Sequence, residues 1–178
     1  ALNFLPTSTT DPGTTYTWSS SMSGSFTGIT SSGAGAITDT PVNTTNTIGY
    51  ITYTITPQVN GCSGAPVNFV VTVNPTPTAS GSDITICSGQ NALISINAGP
   101  ANVAGTTFSW VAVPSANVTG AVSDNGSTIN QVLTLTDFSV GTVTYQVTPS
   151  VNGCNGVVKN ILVTINPIST VDAGIDYE

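Results

Sequence analysis

Apolar and polar residues alternate through much of this chain. Val143, Tyr145 and Val147 fall on one side of an extended strand, and Thr142, Thr144, Gln146 and Thr148 fall on the other. Ile51, Tyr53 and Ile55 give the same pattern earlier. Phe69, Val71, Val73 and then Ile161, Val163, Ile165 repeat it one strand later. A period of two, rich in β-branched residues, marks half-buried strands. No stretch carries a 3.6-residue apolar stripe, so no helix is expected. Asn60-Gly61 and Asn152-Gly153 lie between alternating runs, which predicts tight hairpins. Pro57 and Pro149 are expected at strand ends, where a missing N–H is tolerated.

The same pattern is written twice. GYITYTITPQVNGC at 49–62 returns as GTVTYQVTPSVNGC at 141–154, and Trp18/Trp110, Tyr53/Tyr145, Cys62/Cys154 and Pro75/Pro167 are all 92 residues apart. From Gly13/Gly105 to Pro75/Pro167 no gap is needed. A period of that length is one small domain in tandem. The complete copy reads as about seven strands, near 83–87, 92–97, 106–113, 118–122, 128–136, 142–149 and 157–166. Seven short antiparallel strands in some 90 residues predict an all-β, immunoglobulin-like sandwich. Trp110 and Tyr145 are its expected core aromatics, with Tyr145 placed as a tyrosine corner. Trp18 and Tyr53 hold the same places in the first copy, and Tyr16 and Phe108 share the inward parity.

The domains expected are residues 1–77, a first repeat lacking its N-terminal strand, and 78–168, a complete second repeat. Residues 169–178 read as the start of a third, so the chain is expected to be a piece of a longer array. Asn74-Pro75-Thr76-Pro77 is a stiff linker, and the repeats are expected in an end-to-end row. Ala1–Trp18 aligns with Ala92–Trp110 with one residue fewer, matching Ala1 to Ala92.

Composition removes several functions. Eight acidic residues face one basic residue, Lys159, and there is no histidine; charged residues make up only 5% of the chain, against roughly 25% in ordinary soluble domains. One lysine cannot neutralise a phosphate backbone, so nucleic acid is not an expected partner. The commonest general base and transition-metal ligand is absent. No apolar run is long enough to span a bilayer as a helix, so no membrane insertion is expected. A Thr- and Ser-rich surface with few Lys/Arg cleavage sites points outside the cell.

Three cysteines follow from the repeat. A full copy carries two, Cys87 and Cys154, and a Cys87–Cys154 disulfide is expected, closing a loop worth roughly 4 kcal/mol of chain entropy. The difficulty is that Cys154 lies in a hairpin while Cys87 ends the first strand. The bridge needs that strand to sit high beside the last one. Three reduced, buried thiols are the alternative, and Cys62 is expected to be free or paired outside the chain. Asp83, Asp172 and Asp176 lie at copy boundaries, where carboxylates can hold calcium. Their ligand count is thin, so solvated acids are the simpler reading and no cofactor is expected. Asp11, Asp39, Asp124 and Asp137 sit in turn-like contexts. No acid pair, nucleophile or phosphate loop stands out, so no catalytic residue and no enzyme is expected. Gly24–Gly35 reads as a flexible loop.

The combination Y-x-[IV]-T-P-x-V-N-G-C-x-G followed by V-T-[VI]-N-P occurs at Tyr53–Gly64 with Val71–Pro75 and at Tyr145–Gly156 with Val163–Pro167. Together with Ile86-Cys87-Ser88-Gly89, it resembles the PKD-like, immunoglobulin-like repeats of very large surface adhesins of Bacteroidetes, including those of gliding motility. That resemblance implies export by the type IX secretion system and display on the cell surface as long filaments. It also implies a part in adhesion or gliding. The partners it implies are neighbouring repeats of the same chain, with surface polysaccharide or other filament proteins as further candidates. The first copy departs from the pattern by lacking the Ile-Cys-Ser-Gly segment. A structural spacer accounts for the gapless period and the missing chemistry; a glycan-binding or surface-binding module, or an accessory domain of a secreted enzyme, are the alternatives.

Overall fold

The computed structural model describes residues 1–8 and 11–169, and these are all-β, with no helix among them. The chain groups into two compact units, Ala1–Thr76 and Pro77–Glu178.

In the first unit the main sheet is built from β1 (Thr15–Ser23), β2 (Ser32–Ala34), β3 (Gly49–Val59) and β4 (Val67–Val73), in the order β2-β1-β3-β4. In the second unit β5 (Ile84–Cys87), β6 (Asn91–Ser95), β7 (Thr107–Pro114), β8 (Thr128–Val132), β9 (Gly141–Val151) and β10 (Lys159–Asn166) are the principal strands. Here β7-β9-β10-β5 form one layer, and β6 pairs with β8 in the other.

The alternation of β9 explains why it sits centrally. Its inward residues Val143, Tyr145 and Val147 are fully buried, as are Ile161, Val163 and Ile165 on β10. They close against Ala92, Ile94 and Ile129 of the facing layer. Burying each such aliphatic side chain stabilises by about 1.5–3 kcal/mol before the chain entropy is counted. The strands run two residues past Pro57 and Pro149, because these prolines still accept from the N–H groups of Gly64 and Gly156 through their carbonyls. Asn60 and Asn152 take φ of 48°, and Gly61 and Gly153 take 80° and 77°. Two successive left-handed residues make the tight turn that the Asn-Gly pairs predict.

Three expectations change. The sandwich is not wholly antiparallel: β5 runs parallel to β10, with Ile84 opposite Val163 and Cys87 opposite Asn166. The first copy is also shifted relative to the expected alignment. Phe4 bridges Ile37, and the Leu2 N–H donates to the Asp39 carbonyl, while in the second unit Ile94 faces Ile129 and Ala92 faces Gln131. Ile37 and Asp39 are the 92-residue counterparts of Ile129 and Gln131, so Leu2, not Ala1, takes the place of Ala92. A one-residue slip exchanges the two faces of a strand, and this register turns Leu2 and Phe4 toward the core. Phe4 stacks on Phe69 at 4.4 Å. Finally, Gly24–Gly35 is not all loop. It contributes β2, and Gly33 lies under the Trp18 ring, where a Cβ would fall 2.4 Å from a ring carbon.

Gly28 and Gly120 occupy matching positions with φ of 74° and 90°. A Cβ there would meet the Thr40 carbonyl oxygen at 2.2 Å and the Val132 carbonyl oxygen at 2.1 Å. Backbone conformation and contact both oppose any side chain. Gly120→Ala is therefore expected to destabilise the second unit by at least about 2 kcal/mol. The check is the urea midpoint followed through Trp110, and an unchanged midpoint contradicts the packing described.

Candidate functional site

The most specific polar arrangement in each unit is a bond across the core. Tyr53 on β3 and Tyr145 on β9 are fully buried, so each hydroxyl needs a partner inside. The Tyr53 hydroxyl donates to Asp39 Oδ2 at 2.6 Å, and the same oxygen accepts the Thr30 N–H at 3.1 Å. In the second unit the Tyr145 hydroxyl donates to Gln131 Oε1 at 2.7 Å, and that oxygen accepts the Val122 N–H at 3.0 Å. Every member is displaced by 92 residues from its counterpart. Gln131 lies on β8, in the layer facing β9, so the bond joins the two sheets. Tyr145 is thus not a tyrosine corner, since its hydroxyl reaches a side chain in the opposite layer.

Asp39 is the residue that sequence reasoning missed. Read as a turn acid, it is in fact buried. Burial pushes its carboxyl up, but the Tyr53 hydroxyl and the Thr30 hydrogen bonds outweigh that and hold it below its usual value of 3.8. The available signal was the 92-residue pairing of Asp39 with Gln131, each 14 residues before a core tyrosine. Burial raises the Tyr53 hydroxyl above the usual phenol range, with the hydrogen bond to Asp39 and its charge adding. Burial pushes Tyr145 up to about 12.

Trp18 and Trp110 are buried beside these tyrosines, with Trp18 edge-on to Tyr53 at 5.6 Å. Trp110 Nε1 donates to the Val122 carbonyl at 3.2 Å. The corresponding carbonyl of Thr30 accepts from the Ser20 hydroxyl at 2.7 Å, and Trp18 Nε1 has no acceptor. Phe108 is buried, and Tyr16 is half-buried with its hydroxyl unpartnered.

The expected Cys87–Cys154 disulfide is not formed, and the register gives the reason. Cys87 pairs with Asn166 at the end of β10, while Cys154 pairs with Val151 in the hairpin before Lys159, where β10 begins. At least the seven residues from Lys159 to Asn166 separate those levels, more than about 23 Å at the usual rise per residue. A disulfide requires Cα atoms within about 7 Å. Nor are the thiols buried as the alternative had it: Cys62 and Cys87 are exposed and Cys154 is half-buried.

Of the boundary acids, Asp83 accepts the Leu162 N–H at 2.8 Å, tying the segment before β5 to β10. Asp172 and Asp176 lie outside the described residues. Among the described residues no three His, Cys, Asp or Glu side chains converge. Asp11 accepts the Gly13 N–H in a turn, and Asp137 is held below the usual carboxylate range by the Asn117 amide and the Ser139 N–H. A cavity of about 440 Å³ is walled by Thr106, Phe108, Ser109, Asn125 and Ser150, with no titratable group. Another of about 410 Å³ in the first unit is walled by Phe4, Pro6, Tyr16, Ile55 and Val67. Neither brings a nucleophile to a base.

Two matches decide the family. Residues 1–77 and again 84–169 match the PKD-like domain. The chain belongs to the PKD-like domain family. Comparison with curated proteins finds no match. PKD-like domains are commonly extracellular, adhesion-type repeat modules, and typically structural, non-catalytic ones. Among the described residues no helix is long and apolar enough to cross a membrane.

The two tyrosine bonds should respond differently to acid. Asp39 titrates below 3.8 in the folded unit, so its contribution is fully present above the unfolded carboxylate value. It is lost as pH falls through the folded one. Gln131 does not titrate. With Trp110→Phe leaving Trp18 as reporter, the first unit should lose stability below about pH 4, and Asp39→Asn should remove that part of the dependence. Tyr53→Phe at neutral pH should cost about 1–3 kcal/mol, because it strips the buried carboxylate of a donor.

Proposed function

We propose that this chain is a spacer segment of a large surface adhesin, exported outside the cell and carried in a filament. In its finer form the reading is a gliding-motility adhesin of Bacteroidetes, similar to SprB and secreted by the type IX system. Neighbouring repeats are its partners, with surface polysaccharide or other filament proteins beyond them. It holds no catalytic residue and needs no cofactor.

One observation carries the reading. In the second unit the chain comes in beside the β9–β10 hairpin, where the Pro77 carbonyl packs against Gly156. It leaves at the opposite end, beyond Asn166. The terminal strands β5 and β10 are parallel neighbours. Tension between the two ends therefore pulls these strands past one another. Their ladder bonds are loaded together rather than peeled one at a time. The absence of a poised acid or base in the cavities above is consistent with that use.

Single-molecule pulling tests it. Each unit should give a discrete peak releasing roughly 20–30 nm of chain. Among the described residues β4 pairs with β3 alone, so the first unit should yield at lower force than the second. Because no bridge closes a loop inside either unit, the length released should not change with reductant. Smooth extension without peaks, or a submicromolar soluble ligand found by calorimetry, would overturn the spacer reading.

A further inference from the structure

The cysteines of each repeat lie at opposite poles, and that placement has a use in an array. Cys62 of the first unit pairs with Val59 in the β3–β4 hairpin, at the end of the sheet away from Val73. Cys154 holds the same hairpin place in the second unit. Cys87 lies at the other pole, opposite Asn166, where the chain leaves. A repeat thus presents one kind of thiol where its chain comes in and another where it goes out.

The 92-residue period converts this into a distance. The Pro77 carbonyl lies against Gly156, two residues past the hairpin cysteine. The counterpart of Pro77 one period later is Ser169, three residues beyond Asn166. Three extended residues span about 11 Å at most, and Cys87 is one strand spacing, about 4.8 Å, from Asn166. A following repeat built on the same plan would therefore place its hairpin cysteine at the same junction as Cys87. Within one repeat the same two cysteines are separated by more than about 23 Å. The Cys87 pole also carries an open groove of about 230 Å³ lined by Ser88, Leu135, Phe138, Pro167 and Ile168, and Phe138 is 79% exposed there. An apolar ring left in water at this pole is what a seated neighbour would cover.

We propose that Cys87 forms a disulfide with the hairpin cysteine of the next repeat, so that successive repeats are stapled pole to pole. The proposal rests on the tandem-array reading above. In solution the next repeat can be supplied by a second copy of this chain, through its Cys62. The reaction with a small disulfide such as oxidised glutathione balances in two exchanges. The Cys87 thiolate attacks one glutathione sulfur and expels the other as a thiolate. Cys62 of the second copy, as thiolate, then attacks the Cys87 sulfur and expels the second glutathione. Two cysteine thiols lose two electrons and two protons in all, and one small disulfide becomes two thiols. The extracellular setting favours the oxidised state.

The test uses the 178-residue chain in a glutathione redox buffer, with non-reducing gels and mass-spectrometric mapping. The expected result is a ladder of oligomers in which Cys62–Cys87 between different copies is the dominant link. Cys87→Ser should abolish the ladder and Cys154→Ser should leave it, with unchanged tryptophan fluorescence showing that both variants fold. Dominant Cys87–Cys87 or Cys62–Cys62 links, an intramolecular Cys87–Cys154 bridge, or no linkage in oxidising buffer would each overturn the proposal. Discrete force peaks without the Cys62–Cys87 link would remove the staple and leave the spacer reading standing. The link without the peaks would do the reverse.

Discussion

A single hydroxyl crossing the core holds the two layers of each unit in register. Tyr53 and Tyr145 sit in the middle of the longest strands, so their rings fill the centre of the sandwich. Each hydroxyl then arrives at the facing layer, where it must find an acceptor or stay unsatisfied at a cost of about 1–3 kcal/mol. The acceptor is a side chain, Asp39 or Gln131, whose oxygen also takes a backbone N–H from the connection over the top of the core. One oxygen therefore fixes three elements at once. The apolar contacts around it are non-directional; this bond is what selects one stacking of the sheets over neighbouring ones.

The two copies solve the same problem with different chemistry. A carboxylate makes the bond charge-assisted and sensitive to acid. An amide gives a pH-independent version, and Gln131 also donates to the Val122 carbonyl at 2.7 Å. That carbonyl is shared with Trp110, whereas its counterpart in the first copy is taken by Ser20. The two copies therefore differ at the tryptophan as well: Trp110 Nε1 is bonded and Trp18 Nε1 is not. The polar groups of Tyr53, Tyr145, Asp39 and Gln131 are engaged in these cross-core bonds. The exposed thiols, Cys62 and Cys87, lie at the poles, which is where tandem copies would meet.

Much of the fold was legible because alternation and turn chemistry are local. The Asn-Gly hairpins, the buried faces of β9 and β10, and the all-β class follow from neighbours in sequence. The parallel seating of β5 beside β10 did not, because four alternating residues fit either direction. Its seating against the far end of β10, opposite Val163–Asn166, is what keeps Cys87 at the pole away from Cys154. The offset of Leu2 was hidden for a related reason. Ala1-Leu2 matches Ala92-Leu93 as letters, while the pairing follows the inward parity of Phe4 and Ile94. Asp39 was unreadable as a core residue because an isolated Asp between Thr residues looks like a turn. Only its displacement by 92 from Gln131 exposes its role.

Native-state hydrogen exchange on Tyr145→Phe tests the central claim, that this hydroxyl joins the layers, most directly. If the bond holds the sandwich together, protection should fall by a similar factor in β7, β9 and β10 on one side and in β8 on the other, because the layers open as one unit. Loss of protection confined to the Val122 amide and its neighbours, with the strands of both layers unchanged, would show that the bond only ties down a loop and would contradict the account.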